Sequence, residues 1–174
     1  MTPADGALLW YFAYGSNLDP RTFLGRRRMR PLESRRARLD GFRLVFDLPV
    51  GPGERAVANI RREEGAHVHG AAWRITIEGA AHLDRTEGVH RGYYVRKRVT
   101  LVDDAGGPFD AFTYGSTRGR AGRKPSARYL GLLLAGTRHH ALPEVWIRHL
   151  RGFELAADER TTQNELSGQR GRSG

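Results

Sequence analysis

Three groups of residues in this sequence are of types and spacings that can do chemistry. The first follows an apolar, aromatic run at 7–14, Ala-Leu-Leu-Trp-Tyr-Phe-Ala-Tyr, which stops at Gly15-Ser16-Asn17. A strand that ends in glycine and runs into a helix start can aim successive backbone N–H groups into one hollow. Such a hollow holds a carboxylate or a developing oxyanion; the competing reading is an ordinary strand-to-helix turn. The second is Glu87. Helical spacing over 78–87 puts it on one side with Ala80, Leu83 and Asp84, facing the core in the last turn of the helix. Burial and the negative end of the helix dipole both disfavour a carboxylate there, so a raised pKa and proton transfer near neutral pH are expected. The plain alternative is a surface glutamate paired with Arg85 or Arg91. The third group is Tyr14, Tyr94 and Tyr114, phenols on predicted strands that can donate to a carboxylate or carbonyl, or serve only as core tyrosines.

Other chemistries lack their residues. Cysteine is absent, which removes disulfides, thiol nucleophiles, iron–sulfur clusters and Cys-ligated zinc. His67 and His69 share a strand face and His139-His140 are adjacent, but neither pair belongs to a complete ligand set, so no metal and no cofactor are expected. There is no G-x-S-x-G elbow and no phosphate-binding Walker loop.

These residues must be positioned by short elements. The run at 7–14 reads as a buried strand. Asp19-Pro20 supplies a cap and first-turn proline for a helix near 20–26. Residues 36–48, interrupted at Gly41, and 55–60 read as strands. Glu63-Glu64-Gly65 reads as a turn, and 68–77 as a strand with Trp73, Ile75 and Ile77 on one face. A helix over 78–87 ends at Gly88. The segments 93–102 and 109–114 form a hairpin around 103–107, and 115–125 is a mobile loop. Ser126 caps a helix carrying Tyr129, Leu130, Leu133 and Leu134, and a last helix from Pro143 buries Val145, Trp146, His149 and Leu150. Six or so mostly antiparallel strands with three or four helices make the class α+β, with the sheet able to curl into a barrel. One domain is expected over 1–155, with a disordered tail over 156–174.

The net charge is +10, and 27 of the 29 basic residues are arginine. Nine arginines lie within 21–43, against Glu33 and Asp40. Such a run can track phosphates, but aromatics are not interleaved as single-strand binding requires, so nucleic acid is a lesser reading. No apolar stretch reaches the ~18 residues of a membrane span, and the N-terminus lacks a signal-peptide pattern, so a cytoplasmic protein away from membranes is expected.

Taken together, the run 11–18, Tyr-Phe-Ala-Tyr-Gly-Ser-Asn-Leu, the segment Leu83-Asp-Arg-Thr-Glu-Gly-Val89 followed by Gly92-Tyr93-Tyr94, and Pro125-Ser126, Tyr129-Leu130, Gly136 and Leu142-Pro143 resemble the γ-glutamylcyclotransferase-like family over about 8–153. One departure is Thr86, where a glutamine or similar residue is expected. The resemblance implies a small antiparallel or mixed β-barrel flanked by helices. It also implies a reaction in which the α-amine of an L-γ-glutamyl group attacks its own γ-carbonyl, giving 5-oxoproline and a free amine or amino acid. By the same resemblance Glu87 is the general acid/base. Tyr14, Gly15, Ser16, Asn17 and Leu18 form the γ-glutamyl-binding loop, and Tyr94 and Tyr114 line the pocket. The partner is a small γ-glutamyl compound, and the oligomeric state is left open between monomer and homodimer. Two variants stay within the fold: removal of a γ-glutamyl protecting group in a biosynthetic pathway, and action on γ-glutamylamines. A basic nucleic-acid-binding module is the reading from another class.

Overall fold

A computed structural model describes residues 7–157. Five strands, β1 (Leu8–Ala13), β2 (Glu33–Pro49), β3 (Ala56–Thr76), β4 (Val95–Val102) and β5 (Pro108–Gly115), close into a barrel in the order β1-β3-β2-β4-β5. All neighbours are antiparallel except β1 and β5, which meet in parallel at Tyr11 and Phe112. Closure leaves no long unpaired edge. Three helices pack around it: α1 (Ile77–Thr86), α2 (Ala127–His139) and α3 (Glu144–Arg151). Alternation along the strands puts Phe12, Leu39, Val68, Ile75 and Leu101 wholly out of water, and Leu83, Leu133 and Leu150 seal the helices onto them. No described helix is long and apolar enough to cross a membrane.

The structure corrects several local readings. Residues 56–76 form one continuous strand. Glu63-Glu64-Gly65 does not reverse the chain, because β2 continues past it: Asp40 pairs with His67 and Phe42 with Arg62. The extra residues of β3 are absorbed as a bulge opposite Gly41, and both Gly41 and Gly65 take positive φ, 79° and 80°, to make it. Ile77 does not extend the strand. The hydroxyl of Thr76 accepts from the Gly79 N–H and starts α1, leaving Ile77 half-exposed. In α3 it is Trp146, Ile147 and Leu150 that are buried, while Val145 faces outward.

The helix after Pro20 is a wide π-type turn over Arg21–Arg26, closed by the Arg27 N–H on the Thr22 carbonyl, and Asp19 accepts from the Arg21 N–H as the expected cap. The loop after β5 is pinned rather than loose. Asn59 bonds both backbone groups of Ser116, and the Arg120 N–H donates to the Asp47 carbonyl. Ala156 is buried, its N–H on the Pro125 carbonyl, so the docked chain reaches at least that far. The rest of the expected tail, from 158, lies outside the described residues.

Candidate active site

At the end of β1 the backbone enters a 3₁₀ turn, Ser16–Leu18, held by Leu18 N–H on the Gly15 carbonyl and Asp19 N–H on that of Ser16. The N–H groups of Gly15, Ser16 and Asn17 precede the first of these bonds and have no partner inside the turn. The turn is anchored from three sides. Trp73 Nε1 donates to the Asn17 carbonyl (3.1 Å), His140 Nε2 bonds the Leu18 carbonyl (3.0 Å), and α2 lies directly on it. A Cβ on Gly136 would stand 2.4 Å from the Leu18 carbonyl carbon, so only glycine permits that approach. Leu18 therefore faces the core, fully buried, and holds the turn rather than lining the cavity.

Glu87 arrives from α1 as its C-terminal cap, followed by Gly88 in the left-handed region at φ 68°. Its side chain is only 10% exposed. Oε1 accepts from Asn17 Nδ2 at 2.9 Å and lies 3.4 Å from Arg27 Nη2. The alternative reading, a surface glutamate paired with Arg85 or Arg91, gives way to a largely buried one beside Arg27, whose Nη1 also donates to the Thr86 carbonyl. Asn17 Nδ2 donates at the same time to the Tyr11 hydroxyl, at 2.9 Å. One amide therefore ties the turn, the first strand and the carboxylate together.

Tyr11, Tyr14, Gly15, Ser16, Asn17, Glu87, Tyr94, Tyr114, Tyr129 and the Ala58 backbone enclose a cavity with about 30 Å³ of free space, room for a couple of waters. All the sequence-predicted site residues except Leu18 meet here. The tyrosines divide by what their protons do. Tyr14 donates to the Tyr114 carbonyl (2.7 Å), Tyr94 to the Ala58 carbonyl (2.6 Å) and Tyr114 to Asp84 (2.6 Å). The Tyr11 and Tyr129 hydroxyls instead accept, from Asn17 Nδ2 and the Ala58 N–H, and each keeps its own proton for a further acceptor. Burial drives the phenols of Tyr11, Tyr14, Tyr94 and Tyr114 above their usual range, with the charge of Glu87 adding to the rise at Tyr11. Burial likewise pushes Tyr129 up to about 12. All five are donors, not phenolates, at neutral pH.

Tyr11, Tyr129 and Arg27 were not singled out from the sequence. Tyr11 and Tyr129 carried a faint signal, a hydroxyl within an otherwise apolar strand or helix face. Arg27 carried none, being one of nine arginines in its stretch. Five of those nine pair with carboxylates, Arg21 with Asp19, Arg27 with Glu87, Arg36 with Asp104, Arg38 with Asp40 and Arg43 with Glu63, so the run is not an uninterrupted basic stripe. His67 and His69 stack edge to face at 5.0 Å, as do His139 and His140 at 4.8 Å. Among the described residues no three His, Cys, Asp or Glu side chains are grouped to hold a metal ion.

Residues 67–150 match the model of the AIG2-like family. The γ-glutamylcyclotransferase of Bos taurus is 30% identical over 154 residues, spanning 86% of this chain and 81% of that protein. The enzyme of the same name from Mus musculus is 30% identical over 155 residues, with the same shares. A solved structure of a γ-glutamyl cyclotransferase superposes with a TM-score of 0.77 at 25% identity, covering 88% of this chain and 92% of that one. With that identity sustained over most of both sequences and the same fold beneath it, this chain belongs to the γ-glutamylcyclotransferase family of enzymes.

Proposed function

We propose that the protein cyclises an L-γ-glutamyl amide to 5-oxoproline, with Glu87 moving the proton. The observation that carries this reading is a buried carboxylate fixed at one oxygen. Both contacts of Glu87 fall on Oε1, and Oε2 is left to take a proton and return it. The substrate's α-ammonium gives its proton to Glu87, and the freed amine attacks the γ-carbonyl carbon. A tetrahedral oxyanion forms, and Glu87 passes its proton to the departing nitrogen as the amide C–N bond breaks. The ring nitrogen, positive since the attack, gives its surplus proton to Glu87, which leaves a neutral lactam and regenerates a proton for release. Nucleophile and electrophile belong to one molecule, so the wall mainly has to fold the glutamyl chain; well-oriented intramolecular attack reaches effective molarities of about 10⁵ M or more.

Anion-binding groups sit in the same wall. The first N–H groups of the turn and the unspent protons of Tyr11 and Tyr129 suit the α-carboxylate and the developing oxyanion. Loss of one oxyanion donor typically costs about 3–4 kcal/mol of transition-state stabilisation. Tyr14, Tyr94 and Tyr114 use their protons on the protein and set the shape of the wall.

The test is chemical. Incubation with a γ-glutamyl amino acid yields 5-oxoproline by mass spectrometry, and its Nα-acetyl derivative, which has no nucleophilic amine, yields nothing. Free glutamate as the primary product, or comparable cleavage of the acetylated compound, means that the site hydrolyses rather than cyclises.

A further inference from the structure

The wall of the cavity has a second tie to α1, one turn before Glu87. Asp84 and Glu87 are three residues apart, so they are neighbours on the same side of the helix end. Asp84 Oδ1 accepts from the Tyr114 hydroxyl at 2.6 Å and from Arg96 Nε at 2.6 Å. Tyr114 and Arg96 are cross-strand partners in the β4–β5 hairpin. The Arg96 guanidinium is held in place from its other side by the Phe112 ring, 4.5 Å from the ring centroid. The Tyr114 carbonyl in turn accepts from the Tyr14 hydroxyl at 2.7 Å. Tyr14 leads into the turn that carries Asn17, and Asn17 Nδ2 donates to Glu87 Oε1 at 2.9 Å. The contacts therefore close a ring. It runs from Glu87 along α1 to Asp84, across to Tyr114, on to Tyr14, through the turn to Asn17 and back to Glu87. Four of these five residues line the cavity, and Asp84 does not. An ordinary surface ion pair with Arg96 would not also take the proton of a cavity phenol.

We infer that Asp84 is a positioning residue for the reaction: by closing this ring through Tyr114 and Arg96 it fixes the end of α1, and with it the Glu87 carboxylate, against the hairpin and the glycine-led turn. The inference rests on the reading of Glu87 as proton carrier and names what holds that carrier in place. Helix ends fray, and α1 has only ten residues, with Glu87 at its C-terminal cap. The part of the helix with the least support of its own therefore carries the group whose position matters most. A phenol or guanidinium on a carboxylate makes a charge-assisted bond, shorter and roughly twice as strong as a neutral one, and two such bonds meet on one Asp84 oxygen. A displacement of about 1 Å at reacting groups can cost on the order of 100-fold in rate. The effect of losing Asp84 thus falls on turnover. Binding is spared, because the groups suited to the substrate's α-carboxylate belong to the turn, Tyr11 and Tyr129.

The experiment follows 5-oxoproline release from γ-glutamylalanine by the native protein and by Asp84 variants, each checked by circular dichroism. Asp84→Ala is expected to lower kcat by about tenfold or more with KM changed less than about twofold. Asp84→Asn keeps an oxygen for both donors and is expected to recover kcat to within about threefold of native. The deciding comparison is made in a Glu87→Gln background, where no carboxylate is left to place. There Asp84→Ala is expected to change the residual rate by less than about twofold, because residues that act as a unit are not additive. A general loss of structure would instead lower both backgrounds alike. A loss below tenfold in folded Asp84→Ala, or an equal loss in the Glu87→Gln background, overturns the positioning role while the cyclisation stands. If Asp84→Ala does not fold, Tyr114→Phe, which removes the donor and keeps the ring, is put through the same pair of backgrounds with the same criteria. No 5-oxoproline from the native protein, or a native rate in Glu87→Gln, overturns the reading of the site and this inference with it.

Discussion

Two glutamate–arginine pairs of nearly equal length sit in different parts of the barrel and do different things. Arg43 and Glu63 lie 3.2 Å apart beside the β2–β3 bulge, each with its side chain about half exposed, 52%. Arg27 and Glu87 lie 3.4 Å apart with exposures of 25% and 10%. Distance does not separate them; surroundings do. Water screens the first pair and lets either side chain swing away, so it is worth about 0–1 kcal/mol. Glu87 is held by Asn17, which is held in turn by Tyr11 and, through its backbone, by Trp73. Its neighbours deny this carboxylate other positions, which is what the proposed proton transfer requires of it.

The largest effect expected from breaking this contrast is on turnover. Glu87→Gln keeps the side chain's shape and an acceptor for Asn17 but cannot carry a proton. Its kcat falls 100-fold or more, with an unchanged circular dichroism spectrum. A loss of less than tenfold in a folded variant removes Glu87 from the proton path.

Next in size is a pH effect on the packing beneath the site. Burial, with His139 adding to it, holds His140 down to about 4, against roughly 6.5 in an unfolded chain. Between those values the unfolded chain binds a proton that the folded one refuses, so stability is lost as pH falls from about 6.5 to about 4, by on the order of 3 kcal/mol in total. His69, also held to about 4 by burial, acts in the same direction. Thermal melts across that window are expected to fall less steeply for His140→Gln than for the native protein. Equal slopes would mean that His140 contributes nothing to the acid sensitivity.

The smallest effect belongs to the exposed pair. Glu63→Gln is expected to shift stability by less than about 0.5 kcal/mol and turnover by less than twofold. A loss above 1 kcal/mol in urea titration would show that the ion pair, rather than Gly41 and Gly65, maintains the bulge.

The legible features were those whose cause is local. Ser126 announced α2 because its hydroxyl caps the Tyr129 N–H three residues on. Gly88 announced the end of α1 because only a left-handed residue turns the chain there. An unbroken apolar and aromatic run identified β1, and the 103–107 turn identified the β4–β5 hairpin. The misreadings have one physical form. Glu63-Glu64-Gly65 has turn-forming residues, but pairing with β2 on both sides holds it in the sheet as a bulge. Ile77 continues an alternating pattern, but the Thr76 cap begins a helix first.

By itself the sequence determined the local chemistry: a glycine-led turn after an aromatic strand, a glutamate on the inner side of a helix end, and enough alternating strands to make a sheet. Propensity, periodicity and capping act over a few residues and are written where they act. Only the tertiary structure decided which groups meet. Asn17 reaches Glu87 across 70 residues and Tyr14 reaches the Tyr114 carbonyl across 100. Which phenols spend their protons on the protein, and which arginine reaches Glu87, depends on strand register and barrel closure. Those are properties of the whole chain, because a one-residue slip in register turns every side chain of a strand to its other face.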